Sequence, residues 1–439
     1  MLEKFRNILA VPELKRRILF TLGLFAIYRL GEHMPSPGVN AQALAGAFES
    51  QRGTLFGLYD FFVGGAFSRA TVFALGIMPY ISSSIILQLL GAVVPYLEKL
   101  RKEGEEGQKK ITQLTRYGTV LISIIQSYAY SVFLVNMGAS EGVTVVPNPG
   151  PMFVLSTIIT QTAGTIFVMW LGEKITEHGI GNGISLIIFV NIIGRLPNSL
   201  AAGYDTFRAG SISLMAILAV LVIMIGVIAS VILMTQASRK IPVQYAKRIV
   251  GRRMYGGANT HIPLRVNTAG VIPIIFALSV MSLPAAVAGF VPPNHPLAAM
   301  GAWFAPTSLV YNVLYGLIIV FFTYFYTAVV LNPNDLAENI RKYGGFVPGI
   351  RPGAKTAEYI DQVLSRITLP GAIFLALVAI VPDLLIMSMG LPFLDFGGTS
   401  VLIVVGVALD TLQQVESHLL MRHYEGFVKR GRIRGRQRM

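Results

Sequence analysis

Side chains that could do chemistry are sparse in this chain, and their spacing argues against the common enzymatic sites. The six histidines form no H-x-x-H or H-E-x-x-H pattern, which disfavours a zinc hydrolase. No G-x-x-x-x-G-K-[ST] sequence is present, so there is no nucleotide-binding loop of that type. The absence of cysteine excludes disulfides, thiolate metal sites and cysteine nucleophiles. We therefore predict that the chain is not an enzyme and has no site for a metal or cofactor.

The remaining polar groups lie within or beside long apolar runs. Asp410 is the clearest carboxylate there, whereas ion-coupled transporters usually need several buried acids or broken helices. Uncharged polar residues are more frequent: Ser82, Ser83, Ser84, Gln88, Gln126, Ser127, Asn267 and Thr268. Such groups hold membrane helices together at about 0.6–2 kcal/mol each. Ordinary helix packing is the simplest explanation of any one of them.

Isoleucines recur at a spacing of four in GIMPYISSSIILQ, residues 76–88. Residues i, i+4 and i+8 lie on one helical face, so Ile77, Ile81 and Ile85 can point together. Pro79 is expected to loosen the helix beside them. Lipid tolerates isoleucine at any position, so the spacing alone assigns no function.

The elements that must position these residues are membrane helices. Hydrophobic residues make up 53% of the 439-residue chain and charged residues 13%, against about 25% in a soluble domain. A bilayer-spanning helix needs about 20 mostly apolar residues, and the runs are too long for β-barrel strands. Ten spans are predicted: 17–35, 72–95, 116–137, 152–172, 183–203, 212–235, 268–290, 309–331, 367–388 and 398–420.

Most of the 36 Lys and Arg residues fall in alternate connections between these spans. The positive-inside rule then places both termini in the cytoplasm of a multi-pass protein of the cytoplasmic membrane. The net charge of +14 is therefore mostly a consequence of topology. Five spans on each side of the middle fit two halves related by an inverted repeat.

Two connections on the predicted cytoplasmic side are long, at 236–267 and 332–366. In the first, alternation around KIPVQYAKRIVGRR predicts a strand or hairpin, with Gly256–Gly257 as its turn. In the second, Pro348 and Pro352 exclude a continuous helix and stiffen the backbone around Arg351. Both connections are interpreted as projections that touch a partner.

Residues 54–69, TLFGLYDFFVGGAFSR, are strongly apolar but too short to span a membrane. A charge such as Asp60 is costly in lipid, which favours a re-entrant element held inside the protein. Gly64–Gly65 would give that element a hinge. The alternative is an amphipathic loop on the outer surface, and the residues alone leave the two open.

Five motifs follow one another along the chain: GIMPYISSSIILQLL, LGEKITEHGIGNGIS, YAKRIVGRR followed by YG, THIPL–VN–AGVIP, and FVPGIRPG. Together they resemble the SecY family of bacteria, whose members form the channel of the Sec protein translocase. The resemblance implies an all-α fold of ten spans, in two pseudo-symmetric halves of five, around an hourglass pore. The halves are residues 1–203 and 204–420, followed by a basic cytoplasmic tail at 421–439.

The resemblance also implies roles for particular residues. The pore ring falls on Ile77, Ile81, Ile184, Ile188, Ile275 and Ile403. The 54–69 stretch becomes a plug, with Leu58, Tyr59, Asp60, Phe61, Phe62, Gly64, Gly65 and Arg69. A lateral gate to lipid includes Ser84, Gln88, Gln126, Asn267 and Thr268. Docking of the SecA ATPase or the ribosome falls on Arg248, Arg252, Arg253 and Arg351.

The implied partners are SecE, SecG, SecA, the ribosome, signal peptides, nascent or precursor polypeptides, and membrane lipid. The expected function is a passive, gated channel for unfolded polypeptides that also releases transmembrane segments sideways into the bilayer. A secondary transporter for a small solute is the main alternative, and the sparse acids count against it. A membrane tether for RNA is a third possibility, although attraction of the basic tail to anionic lipid explains that tail equally well.

Overall fold

The computed structural model describes residues 11–48, 55–140, 144–210, 213–245, 248–250, 253–255, 259–289, 308–388 and 397–430. The first half of the chain forms helices α1 (Pro12–Gly31), α2 (Ala41–Phe48), α3 (Leu55–Phe62), α4 (Met78–Val93), α5 (Pro95–Lys102), α6 (Glu105–Ser140), α7 (Pro151–His178) and α8 (Gly183–Arg208). The second half forms α9 (Leu214–Gln236), β1 (Ser238–Tyr245), β2 (Arg248–Val250), β3 (Arg253–Tyr255), β4 (Asn259–Arg265), α10 (Ile272–Gly289), α11 (Leu309–Val330), α12 (Pro333–Lys342), β5 (Gly345–Phe346), α13 (Ala354–Ser388) and α14 (Gly398–Arg430).

Each predicted span overlaps one of these helices, and the prediction of a helical multi-span protein is confirmed. Within the described residues, seven helices are long and apolar enough to cross a membrane. An eighth span is obtained if α4 and α5, which meet at 99°, are counted together. Helices α1 and α10 overlap the two remaining predicted spans without meeting the same criterion. The total of ten spans and the pseudo-symmetry of the halves stay predictions.

The predicted start of the second span is wrong. Residues 72–77 form turns, and α4 begins at Met78 with Ile77 in the capping position before it. Pro79 lies in the first turn, where its missing N–H costs no hydrogen bond. It therefore starts the helix instead of loosening it. The ends of two other spans also differ, because α1 ends at Gly31 and α10 begins only at Ile272.

The described residues divide between two compact units. The first unit draws on Met1–Ser50, Tyr59–Arg195 and Val407–Met439, and the second on Gln51–Leu58 and Leu196–Gly406. In the first unit, α6 presents a buried line of hydroxyl residues at every fourth position: Thr115, Thr119, Ser123, Ser127 and Ser131. The Ser83 hydroxyl on α4 donates to the carbonyl of Thr115 over 2.8 Å. Small side chains allow this close approach between helices.

In the second unit, the two long connections fold together. Strand β1 pairs with β4 along its length, and its end pairs antiparallel with β5, with Tyr245 opposite Gly345. Beneath the sheet lies one apolar cluster, which contains Ile241, Val243, Leu264, Ala337, Ile340, Val347, Ala357, Ile360 and Leu364. The two predicted projections are therefore one body with a shared core, which we call the loop body.

The predicted strand or hairpin in the first connection is confirmed, because β1 pairs antiparallel with β4 and β2 pairs antiparallel with β3. Val250 and Arg253 form the innermost described pair of this hairpin. The predicted turn at Gly256–Gly257 lies outside the described residues.

Candidate functional site

The last turn of α3 and the turns that follow it are largely buried in the first unit, and we call residues 59–70 the internal segment. The side chains of Asp60, Phe61 and Phe62 are 3–5% exposed. The Tyr130 hydroxyl on α6 donates to the carbonyl of Phe67 over 2.7 Å, and the Tyr59 hydroxyl donates to the carbonyl of Leu75 over 3.0 Å. The segment thus lies inside the protein, and the alternative of a loop on the outer surface is wrong.

Two glycines end α3 and turn the internal segment. Gly64 and Gly65 have φ values of +74° and +83°, a conformation that side chains rarely adopt. The Gly65 N–H donates to the carbonyl of Asp60 over 2.9 Å, which closes the last turn of the helix. The predicted break at the paired glycines is therefore present in the backbone.

The charged residues predicted for this stretch are tied to it and to α8. Asp60 forms an ion pair with Arg195 of α8, with 3.1 Å between Oδ2 and Nη2. Its other carboxylate oxygen accepts the Ser68 N–H over 2.8 Å. Arg69 donates to the carbonyls of Gly65 and Gly64 over 2.8 and 3.1 Å. These two partners offset part of the cost of burying the carboxylate.

Four further residues at this site were missed by reasoning from the sequence. Asn191 of α8 donates from its amide to the Tyr28 hydroxyl and to the carbonyl of Phe62, each over 3.0 Å. Glu32, which follows α1 and is fully buried, pairs with Arg29. The sequence did offer one signal for Glu32, because it is an ionisable residue at the end of an apolar run. Such a residue usually marks a functional position in a membrane protein.

A side chain at position 64 would disrupt this site. A Cβ on Gly64 would lie 2.7 Å from Oε1 of Glu32 and 3.3 Å from Oδ1 of Asn191. The left-handed backbone costs a non-glycine residue about 1–2 kcal/mol, and the clash must also shift the buried Glu32. We expect Gly64→Ala to lower the free energy of unfolding by about 2–4 kcal/mol, seen as a lower midpoint of thermal unfolding in detergent.

Gly23→Ala is the matched control, because a Cβ on Gly23 in the middle of α1 meets no atom within 4 Å. Alanine in a helix interior is favoured over glycine, so this variant should unfold at or slightly above the wild-type temperature. Equal midpoints for the two variants would contradict the packing described around Gly64.

The isoleucines predicted to form a ring are distributed over both units. In the first unit, Ile77, Ile81 and Ile188 are each 3% exposed, and Ile184 is half-buried. Ile184 and Ile188 are one turn apart on α8 and therefore share a face. In the second unit, Ile275 and Ile403 are buried. Their joint action as a ring stays a prediction.

The residues predicted for a lateral gate make few contacts with other polar groups. Gln88 donates to the Ser84 hydroxyl over 3.0 Å within α4. In the described part of the chain, Oε1 of Gln126 and Oδ1 of Asn267 are buried and find no hydrogen-bond partner. Thr268 donates to the carbonyl of Arg265 over 2.9 Å, in the turn before α10. Asn267 and Thr268, which were predicted to lie at the start of the seventh span, therefore precede its helix.

Of the predicted docking residues, Arg351 is exposed in the non-helical connection between β5 and α13. Gly349 and Gly353 flank it with φ values of +82° and +103°. The backbone of Arg248 and Arg253 forms the outer and inner pairs of the β2–β3 hairpin. Arg252 lies outside the described residues. The predicted absence of a helix around Pro348 and Pro352 is confirmed.

The sequence matches relatives along its whole length. The family model described as SecY matches residues 71–412. The chain is 43% identical over 431 residues to "Protein translocase subunit SecY" of Aquifex aeolicus, covering 98% of this chain and 100% of the relative. It is 45% identical over 440 residues to the protein of the same name from Thermus thermophilus, with 100% of both chains covered.

The fold resembles solved channel structures at 17% identity, with 92% of both chains covered in each comparison. The first is described as "The structure of a protein conducting channel", with a TM-score of 0.66. The second concerns the plug domain of the SecY protein, which stabilises the closed state of that channel, with a TM-score of 0.63. The third is Sec61 in the canine ribosome-channel complex from the endoplasmic reticulum, with a TM-score of 0.62. These likenesses establish the fold.

Proposed function

The chain belongs to the SecY family, and from this premise we propose that it is the channel-forming subunit of a protein translocase. It passes unfolded secretory polypeptides across the cytoplasmic membrane and releases transmembrane segments sideways into lipid. The observation that carries the proposal is identity of 43–45% to translocase subunits over essentially the full length. We propose no chemical step for the chain itself.

The proposed gate combines an apolar ring with the internal segment as a plug. The six isoleucines offer no hydrogen bonds, so they grip a polar backbone weakly and adapt to different side chains. A narrow apolar constriction also resists ions because it dewets. The burial of the internal segment supports its role as a plug. Its break at Gly64–Gly65 provides a point about which it can move.

Lateral release needs a helix seam that separates at low cost. The predicted gate residues form only one side-chain hydrogen bond with one another in the described part of the chain, from Gln88 to Ser84. The buried oxygens of Gln126 and Asn267 contribute no such bond there. Polar contacts in membranes contribute about 0.6–2 kcal/mol each. An apolar signal peptide can therefore replace such contacts and reach lipid.

The energy for transport must come from a partner. We propose that the loop body, with Arg351 exposed on it, is the surface to which the SecA ATPase or the ribosome binds. The likeness to Sec61 in a ribosome-channel complex supports the ribosome as a partner. SecE and SecG are proposed as the small subunits that accompany the chain, with both termini in the cytoplasm.

A reconstitution experiment tests this function. Proteoliposomes containing the chain with SecE and SecG are given SecA, ATP and a radiolabelled precursor, and the precursor protected from external protease is counted. We expect protection that depends on ATP and on the chain. If precursor remains unprotected while the same SecA drives a control translocase, the channel function is wrong and a small-solute transporter becomes the better hypothesis.

A further inference from the structure

Several charged and polar groups around the internal segment have no part in the gate described so far. Two of them, Asn191 and Arg195, are one turn apart on α8 and reach the segment from the same face. Two others, Arg29 and Glu32, lie at the end of α1. With Asp60 on α3, these five residues join three helices of the first unit, and we call them the charge latch.

Three groups of the charge latch lie against successive points of the segment. Arg195 binds the Asp60 carboxylate, and its guanidinium carbon lies 5.5 Å from the centre of the Phe61 ring. Asn191 binds the carbonyl of Phe62, which the end of α3 leaves without a helical partner. Glu32 faces Gly64 at the turn. The three contacts follow one another along the backbone from residue 60 to residue 64.

We propose that Arg195 and Asn191 are positioning residues that hold the internal segment in the closed state of the channel. This inference rests on the proposed function, in which the segment is the plug. The pair is suited to reversible release because the Asp60 side chain is 4% exposed but the Arg195 side chain 22%. Arg195 can therefore keep part of its hydration while Asp60 leaves.

The closed arrangement also leaves buried acceptors unsatisfied. Among the described residues, Oε1 of Glu32 and Oδ1 of Asn191 are buried and have no hydrogen-bond partner. Buried polar atoms without partners are uncommon in proteins and raise the free energy of the state that contains them. They offset part of the gain from the ion pairs. The charge latch therefore favours closure without making it permanent.

The test measures leak and translocation in the same preparation. The full chain with SecE and SecG is reconstituted, and chloride efflux without precursor is compared with SecA-driven protection of a precursor. We expect Arg195→Gln to raise resting efflux about tenfold, a shift of about 1.4 kcal/mol between closed and open states. Translocation should be retained, because the ring and the loop body are unchanged.

Two control variants test whether the leak comes from loss of the positive charge at position 195. Arg195→Lys keeps the positive charge and should restore efflux to near the wild-type level. Arg208→Gln removes a charge from the last turn of the same helix, where Arg208 lies over the Tyr204 ring, and this variant should show wild-type efflux. The proposal is wrong if the folded Arg195→Gln variant shows the same resting efflux as the wild type. It is also wrong if Arg195→Lys shows as much efflux as Arg195→Gln.

Asn191→Ala provides a second test, which is needed if Arg195→Gln does not fold. Asn191→Ala removes both hydrogen bonds to the Tyr28 hydroxyl and the Phe62 carbonyl, and it should also leak. A sealed Asn191→Ala complex would overturn the proposal. If the wild type does not translocate, the proposed function fails, while the difference in efflux between the variants still decides the latch.

Discussion

Arg351→Glu is expected to abolish SecA-driven translocation while leaving the fold intact. Arg351 is exposed, but its connection is anchored on both sides. Val347 is buried in the core of the loop body, and the Thr356 hydroxyl donates to the Arg351 carbonyl over 2.9 Å. The substitution therefore changes the charge presented to a partner and little else. An arginine at the centre of an interface is commonly worth at least about 2 kcal/mol, or about 30-fold in affinity, and charge reversal adds repulsion.

The measurement is the amount of protease-protected precursor at limiting SecA concentration, with SecA binding measured in parallel. Lys342→Glu is the matched control, because Lys342 is an exposed basic residue at the end of α12 in the same loop body. It pairs with Glu338, so its loss should change binding only slightly. Normal translocation by Arg351→Glu would leave the channel in place and remove Arg351 from the docking surface.

Hydropathy located the helices well because each span in lipid must form its backbone hydrogen bonds within itself, as a helix does. It failed where backbone groups form hydrogen bonds with other parts of the protein. Residues 72–77 are as apolar as a span but form turns, and the carbonyl of Thr71 beside them accepts a hydrogen bond from Gln161 of α7. A partner so distant in the sequence cannot be found from local composition.

The loop body shows a different limit. The alternation in 240–253 predicted a hairpin, and the prolines around Arg351 predicted a break, and both are present. Their joining could not be predicted, because β5 has only two residues and no strand pattern of its own. It forms because Val347 and Ile340 complete an apolar core with β1.

The charge latch was half visible in the sequence. Asp60 stood out because a carboxylate inside an apolar stretch needs a partner. The identity of that partner depends on how α8 packs beside the internal segment, and Arg195 is 135 positions away. No spacing pattern in the sequence linked Asn191 or Glu32 to Asp60. Charged groups can thus be recognised as requiring partners, whereas the partners themselves become known only from the fold.

Ile81→Asn combined with Ile188→Asn is expected to make the resting channel leak ions strongly. Both residues are 3% exposed, on α4 and α8 of the first unit, and both are predicted ring members. Amide side chains at a narrow constriction hold water and so remove the dewetted barrier. Lowering the barrier to ion passage by about 1.4 kcal/mol at each position would raise conductance about a hundredfold in total.

Single-channel or vesicle-flux recordings measure this effect, with Ile81→Leu combined with Ile188→Leu as the control. Leucine keeps the volume and the apolar character, so the control should remain sealed and translocate normally. The asparagine variant should also translocate more slowly, because amides form hydrogen bonds to the passing backbone. The thermal unfolding midpoint is measured as well. An unchanged midpoint attributes the leak to a hydrated pore, and a lowered midpoint attributes it to a damaged core. A folded asparagine variant that stays sealed would place the barrier elsewhere, with the internal segment as the remaining seal.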